Sequence, residues 1–532
     1  MKKNKLKAFM LIGVIALSIG LIGCGSEATK DSENKNNSEI ITEKKEKDNE
    51  TLVYGSGDYT SINPALKEHG EINSLIFNGL TARDKDNNIV PALAESWEYD
   101  SVTKTYTFKL RPDVKWHDGA PFTANDVKFT IETIQNPDSM SEIVSNYEDI
   151  ESVDVVSDLE VKIKLKKPNV AILDYLTVGI IPEHILKGQN IITSEFNKKP
   201  IGTGPYKLEK WDTGQSITLI KNTDYYKGEP EIDNMIFKIV TDDKARAMQL
   251  QSGELDLAQI TPKDMSAIEK NKELEVYDFK TADYRGILYN FGSDFFSKNK
   301  GLPNALSYAI DRQAIVDSVL LGDGYAAYSP LQAGPYNNPD IEKFEYNPEK
   351  AKQEIEKLGW KLGKDGIYEK DGQKLSFEIV CSEGDQVRID MANICSQQFK
   401  QIGVDAKVVV KSDIDWEKQD AHLIGWGSPF DPDDHTYKVF VTNQGSNYSS
   451  YSNPKVDELL EKARSTDNNE ERLKLYKQFQ EEMTNDMPYT FIAYIDAIYA
   501  ANDHLQGLST DTVLGHHGVG IFFNVDEWKI TE

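Results

Sequence analysis

Tyr106-Thr-Phe-Lys-Leu-Arg-Pro-Asp-Val-Lys-Trp-His-Asp-Gly-Ala-Pro-Phe-Thr-Ala-Asn-Asp-Val-Lys-Phe-Thr130 opens on a strand and passes into a tight turn. From Thr105 to Leu110 the apolar side chains fall on even numbers, the period-two pattern of a half-buried strand. Trp116-His117-Asp118-Gly119 reads as the turn, which makes His117 a scaffold residue and not a ligand candidate. Val161 to Leu165 alternates in the same way on odd numbers, and Thr51 to Tyr54 is the first strand-like run of the chain. Helical patterns are interleaved with these strands. Thr241 is placed to cap a helix through Ala245, Met248 and Leu250, which Gly253 stops. Gln386 to Gln401 reads as a helix, and Pro348 to Leu358, Asn453 to Ser465 and Asn469 to Met487 read as charged amphipathic ones. Strands and helices alternate irregularly and without a repeat, so the expected class is mixed α/β.

The folded body starts near residue 51 and holds about 480 residues, too many for one simple core, so at least two lobes are expected. A net charge of −27 argues against a nucleic-acid partner. With 25 Tyr, 20 Phe and 7 Trp the chain is well supplied with aromatic surface for binding. No Gly-rich phosphate loop, His-Glu-x-x-His, Gly-x-Ser-x-Gly or Cys-x-x-Cys occurs. These absences favour a binder over an enzyme.

The N-terminus says where such a binder would work. Lys2, Lys3, Lys5 and Lys7 precede an apolar run from Ala8 to Gly23, too short for a comfortable membrane span. Leu21-Ile22-Gly23-Cys24 then matches the bacterial lipoprotein signal, in which the cysteine is acylated and becomes the mature N-terminus. Residues 1–23 are therefore expected to be a signal peptide. Residues 24–50, rich in Ser, Asn, Lys and Glu, are expected to be a lipidated flexible tether on the extracytoplasmic face of the cell membrane. The two other cysteines are Cys381, after a strand-like run, and Cys395, inside a helical one. A disulfide and two buried free thiols are both open, the helical rise of roughly 15 Å making the bond awkward.

From Tyr106 to Thr130 the chain resembles the peptide/nickel family of ABC-importer solute-binding proteins (family 5), nearer its nickel-binding than its oligopeptide-binding members. Further segments of the same resemblance follow in order: Asn63-Pro64, Ala92-Leu-Ala-Glu-Ser-Trp97, Gly202-Thr-Gly-Pro-Tyr206, Asn222-Thr-Asp-Tyr-Tyr226, Gln251-Ser-Gly-Glu-Leu-Asp256 and Asn304-Ala-Leu-Ser-Tyr-Ala-Ile-Asp-Arg312. The resemblance implies a two-lobed, class II periplasmic-binding-protein-like fold that closes over a solute, with an additional subdomain inserted in the first lobe. On that pattern residues 51–96, 200–288 and 496–532 form the first lobe, 97–199 the insertion and 289–495 the second lobe. Implied partners are an ABC permease and its ATPase subunits, a small solute and, through Cys24, the membrane. A monomer is expected.

The solute is the finer question. Peptide-binding members of the family carry Trp-x-x-Asp in one cleft loop, where the Asp meets the peptide's ammonium group. The corresponding stretch here, Trp426-Gly427-Ser428-Pro429-Phe430-Asp431-Pro432, has Pro429 at that position and resembles the nickel members more. Trp426 and Phe430 are the expected cleft aromatics, and His435 is a weaker candidate in a turn rich in Asp and Pro. His516-His517 sits between Gly515 and Gly518. In a strand the two rings would face opposite ways, but flanking glycines permit a looped prong from which both point one way. By resemblance, His69 would face that prong, so His69, His516 and His517 are the expected metal-binding set for nickel or a nickel chelate, a cation class suited to imidazole. The alternative cargo is an oligopeptide, whose binding through backbone hydrogen bonds leaves little trace in sequence.

Overall fold

The computed structural model describes residues 50–67, 70–428 and 430–531. The expected signal peptide, the tether up to residue 49, Cys24, His69 and Pro429 lie outside the described residues. Among those described, no helix is long and apolar enough to cross a membrane.

Three sheets organise residues 50–531. The first has seven strands in the order Leu274–Phe279, Ala497–Asn502, Leu257–Ile260, Thr51–Ser56, Asn234–Ile239, Ser216–Lys221, Tyr206–Asp212. Its centre, Thr51–Ser56, is parallel to both neighbours. The second has six strands in the order Gly324–Ala326, Tyr489–Ile495, Tyr284–Tyr289, Ala421–Trp426, Ser376–Ser382, Asp405–Lys411. Each of the two is the sheet of one lobe. The third is a four-stranded antiparallel sheet, Ala94–Asp100, Thr105–Leu110, Glu160–Leu165, Ile150–Ser157, inserted in the first lobe.

The opening stretch folds as its pattern dictates. Tyr106, Phe108 and Leu110 are buried on one face, as are Val161, Ile163 and Leu165 on the paired strand. The turn closes with the Gly119 N–H donating to the Trp116 carbonyl at 2.8 Å, and Gly119 takes φ +89°, a conformation cheap only for glycine. His117 clamps the first lobe from here: its Nδ1 accepts from the Gly202 N–H and its Nε2 meets the Gly204 carbonyl, both at 3.1 Å. The first sheet and the insertion share a continuous apolar core, in which Phe237, Tyr499, Phe108 and Trp116 all take part. The second sheet has its own core around Tyr284, Phe377, Phe399 and Phe491.

The chain passes between the sheets twice, from Phe279 to Tyr284 and from Ile495 to Ala497. The first passage corrects the expected boundary at 288. Tyr284–Tyr289 is hydrogen-bonded between Ala421–Trp426 and Tyr489–Ile495, so the second lobe begins at the start of that strand. The edge drawn at 97 likewise falls inside the strand Ala94–Asp100. Two local readings change as well. Asp242, not Thr241, caps the helix Asp243–Gln251, its carboxylate accepting from the Ala245 N–H at 2.7 Å. The last charged helix ends at Met483. Cys381 and Cys395 are buried free thiols, and burial pushes each up to about 12.

Candidate functional site

The C-terminal segment brings the histidine pair to the passage between the sheets. Leu514 is laid against that passage, its N–H donating to the Lys280 carbonyl at 2.9 Å and its carbonyl accepting from the Ala282 N–H at 3.3 Å. One turn of 3-10 helix, His516–Gly518, follows. The bend is made by His517 at φ +57° and Gly518 at φ +77°, whereas Gly515 has φ −80°, so the left-handed residues are not the flanking glycines alone. This strained backbone brings the two rings together, with centroids 3.9 Å apart.

Asp283 joins them. One candidate ligand atom from each of Asp283, His516 and His517 lies within 4.8 Å of the others. The carboxylate receives His516 Nδ1 at 2.7 Å and the His517 backbone N–H at 3.1 Å, and pairs with Arg285. A second guanidinium, from Arg388 in the helix Gln386–Gln401 of the second lobe, stands 3.5 Å from His517 Nε2. Burial pushes the Asp283 carboxyl up, but Arg285 and then His516 outweigh it and hold the group far below the usual carboxylate range. Burial lowers both histidines, more strongly at His517, where His516 and Arg285 add to it although part of the ring faces solvent. Neutral imidazoles are donors suited to a borderline-soft divalent cation, and the ionised carboxylate beside them accepts from the His516 ring and the His517 backbone.

His516 lines a cavity of about 280 Å³ between the lobes, and His517 lines a separate one of about 550 Å³. Lys67 and Gly70, the described residues bracketing His69, line the smaller cavity, as do Ser428 and Phe430, which bracket Pro429. Gly427 lets this loop approach the passage: a Cβ there would fall 2.0 Å from the Ala282 carbonyl oxygen. Phe430 lies beneath the Arg83 guanidinium, 3.3 Å from ring centroid to Cζ. Arg83 in turn faces Asp174, at 3.3 Å.

Trp426 and His435 do not line these two cavities. Trp426 packs beside Tyr448, with ring centroids 6.1 Å apart. His435 belongs to the helix Asp433–Phe440 and not to a turn; it is buried, and burial lowers its pKa. Asp283, Arg285, Arg388 and Arg83 were not anticipated. One signal pointed to the first pair, since Arg285 interrupts the apolar strand Tyr284–Tyr289 and a charge inside a buried strand requires a partner.

Two α/β lobes joined by two crossing segments, with polar and imidazole groups converging between them, are the architecture of a two-lobed solute-binding protein. The chain belongs to the bacterial extracellular solute-binding proteins, family 5, whose model matches residues 88–448. It is 33% identical to the oligopeptide-binding protein AppA of Bacillus subtilis over 560 residues, covering 100% of both chains. The structure is similar to NikZ from Campylobacter jejuni in complex with Ni(L-His), at TM-score 0.86 and 39% identity over 90% of this chain and 99% of that one. It also matches Bacillus subtilis AppA in complex with a nonapeptide, at TM-score 0.82 and 33% identity over 91% and 99%.

Proposed function

We propose that this protein captures a nickel ion carried by a small organic chelator and delivers it to the permease of an ABC importer. The meeting of His516 and His517 at Asp283, between the lobes, carries the reading. A cavity of about 280 Å³ beside that point suits a compact chelate better than an extended peptide. Arg285 and Arg388, paired with Asp283 and Asp385, line the neighbouring cavity of about 550 Å³ on which His517 opens. His69 is the proposed third imidazole, supported by the position of Lys67 and Gly70 on the same cavity wall. Acylation at Cys24 would hold the receptor on the extracytoplasmic face of the membrane, within reach of its permease.

Calorimetric titration of metal-free protein with nickel and equimolar L-histidine tests the cargo. Wild type is expected to saturate at one metal per chain, and the double variant His516→Ala, His517→Ala to show no heat above dilution. Equal affinity in the two proteins would refute the site.

A second reading rests on the full-length identity to an oligopeptide-binding protein and on the larger cavity of about 550 Å³. Native mass spectrometry of protein purified without unfolding decides it, since a peptide receptor retains a peptide mass and a nickel receptor does not.

A further inference from the structure

Asp283 occupies the junction on which the prong is mounted. Its backbone is fixed in the passage between the lobes: the Ile495 N–H donates to its carbonyl at 3.0 Å, and its own N–H donates to Thr281 Oγ1 at 2.9 Å. Its side chain is 1% exposed and committed on both oxygens. Oδ1 meets His516 Nδ1 and Arg285, and Oδ2 accepts the His517 N–H. An ionised carboxylate only accepts hydrogen bonds, so the proton of the His516 ring sits on Nδ1 and the lone pair on Nε2. A cation bound directly at Oδ1 would also lie against the Arg285 guanidinium, which already neutralises that oxygen.

We propose that Asp283 is the positioning residue of the metal prong: it selects the tautomer and orientation of His516 and holds the strained His517 backbone, without itself ligating the cargo. The role rests on the nickel reading above and deepens it. The left-handed turn at His517 needs a partner for its N–H, and that partner comes from the crossing segment and not from the prong. Donor geometry is thereby tied to the segment joining the lobes. Carboxylates that orient metal-binding histidines in this way are worth roughly 10–100-fold in affinity.

A double-mutant cycle with nickel and L-histidine separates positioning from ligation. Asp283→Asn should weaken binding about 10–100-fold in the wild-type background and by less than about twofold in His516→Ala. An equal loss in both backgrounds, or no loss in the first, overturns the role. Because Asp283→Asn leaves Arg285 buried opposite an amide, the pair Asp283→Asn, Arg285→Gln is measured alongside, with thermal melting as the check on folding. A cargo-independent readout is the imidazole nitrogen-15 spectrum of metal-free protein, with His516 assigned by its loss in His516→Ala. Wild type should show His516 protonated at Nδ1, and Asp283→Asn should lose that preference. Protonation at Nε2 in wild type overturns the proposal whether or not nickel binds. Failure of wild type to take up nickel while the Nδ1 tautomer is present refutes the cargo and leaves the positioning role standing.

Discussion

His117 shows how one neutral ring can hold two parts of the chain together. Its Nδ1 accepts from the Gly202 N–H, which is possible only while that nitrogen is unprotonated. Burial lowers its pKa from 6.5 to about 4, and burial does the same to His422. The unfolded chain thus binds more protons than the folded one between those values, and stability rises with pH across that window. Present in full above about pH 6.5, the His117 contribution is lost as the pH falls toward 4, and amounts to roughly 3 kcal/mol at most. Thermal unfolding at constant ionic strength between pH 4 and 7 should show a shallower slope for His117→Gln than for wild type. Superimposed slopes would mean that this ring does not titrate on folding.

Among the elements, the short helix Asn73–Ile76 and the loop 202–204 depend most on close approach. The Gly204 N–H donates to the Ile76 carbonyl at 2.9 Å. A Cβ on Gly202 would lie 1.8 Å from the same carbonyl oxygen, with backbone and not a flexible side chain in the way. Gly202→Ala should therefore destabilise by about 1–3 kcal/mol or more, the cost of overpacking, read as a lower midpoint in urea. A midpoint unchanged within error would show that the helix can retreat freely. This loop also supports one wall of the cavity, since Phe77, which ends the helix, lines it beside His516.

Across the whole molecule two kinds of ion pair join the insertion and the lobes, and burial decides which of them matters. Lys263 of the first lobe meets Asp390 of the second at 2.5 Å, but Lys263 is 56% exposed. An exposed pair of this kind contributes about 0–1 kcal/mol, so Lys263→Ala should barely move the unfolding midpoint. Arg464 is buried against Asp433 at 2.6 Å and Asp149 of the insertion at 3.4 Å, and Tyr175 donates to Asp433 at 2.6 Å. Removing the arginine strands two buried carboxylates, so Arg464→Met should cost about 3–5 kcal/mol. Chemical denaturation of the two variants side by side checks the contrast, and equal losses would contradict it. Cargo that bridges the lobes favours their closed arrangement, so small-angle scattering should show a smaller radius of gyration when nickel and L-histidine are added to wild type, and no change in His516→Ala, His517→Ala.

Local patterns alone determined much of this protein. The alternation of Tyr106, Phe108 and Leu110, the turn at Gly119 and the helix Gln386–Gln401 follow from side-chain period and glycine placement, which act over a few residues. Ordered motifs along most of the chain were enough to mark the family, and the adjacent histidines between glycines marked the prong. Trp426 shows the limit of such reading: it was expected in the cleft from its motif, but it ends the strand Ala421–Trp426 and packs beside Tyr448 against the second-lobe core. The chain passage at 280–283, not the motif pattern, decided that the second lobe begins at Tyr284. Asp283 and His516 lie 233 positions apart, and Arg388 and His517 lie 129 apart. No local period encodes such pairs. They meet because the C-terminal segment returns to lie along the passage between the sheets, and only tertiary packing makes one site of a carboxylate, two imidazoles and two guanidinium groups.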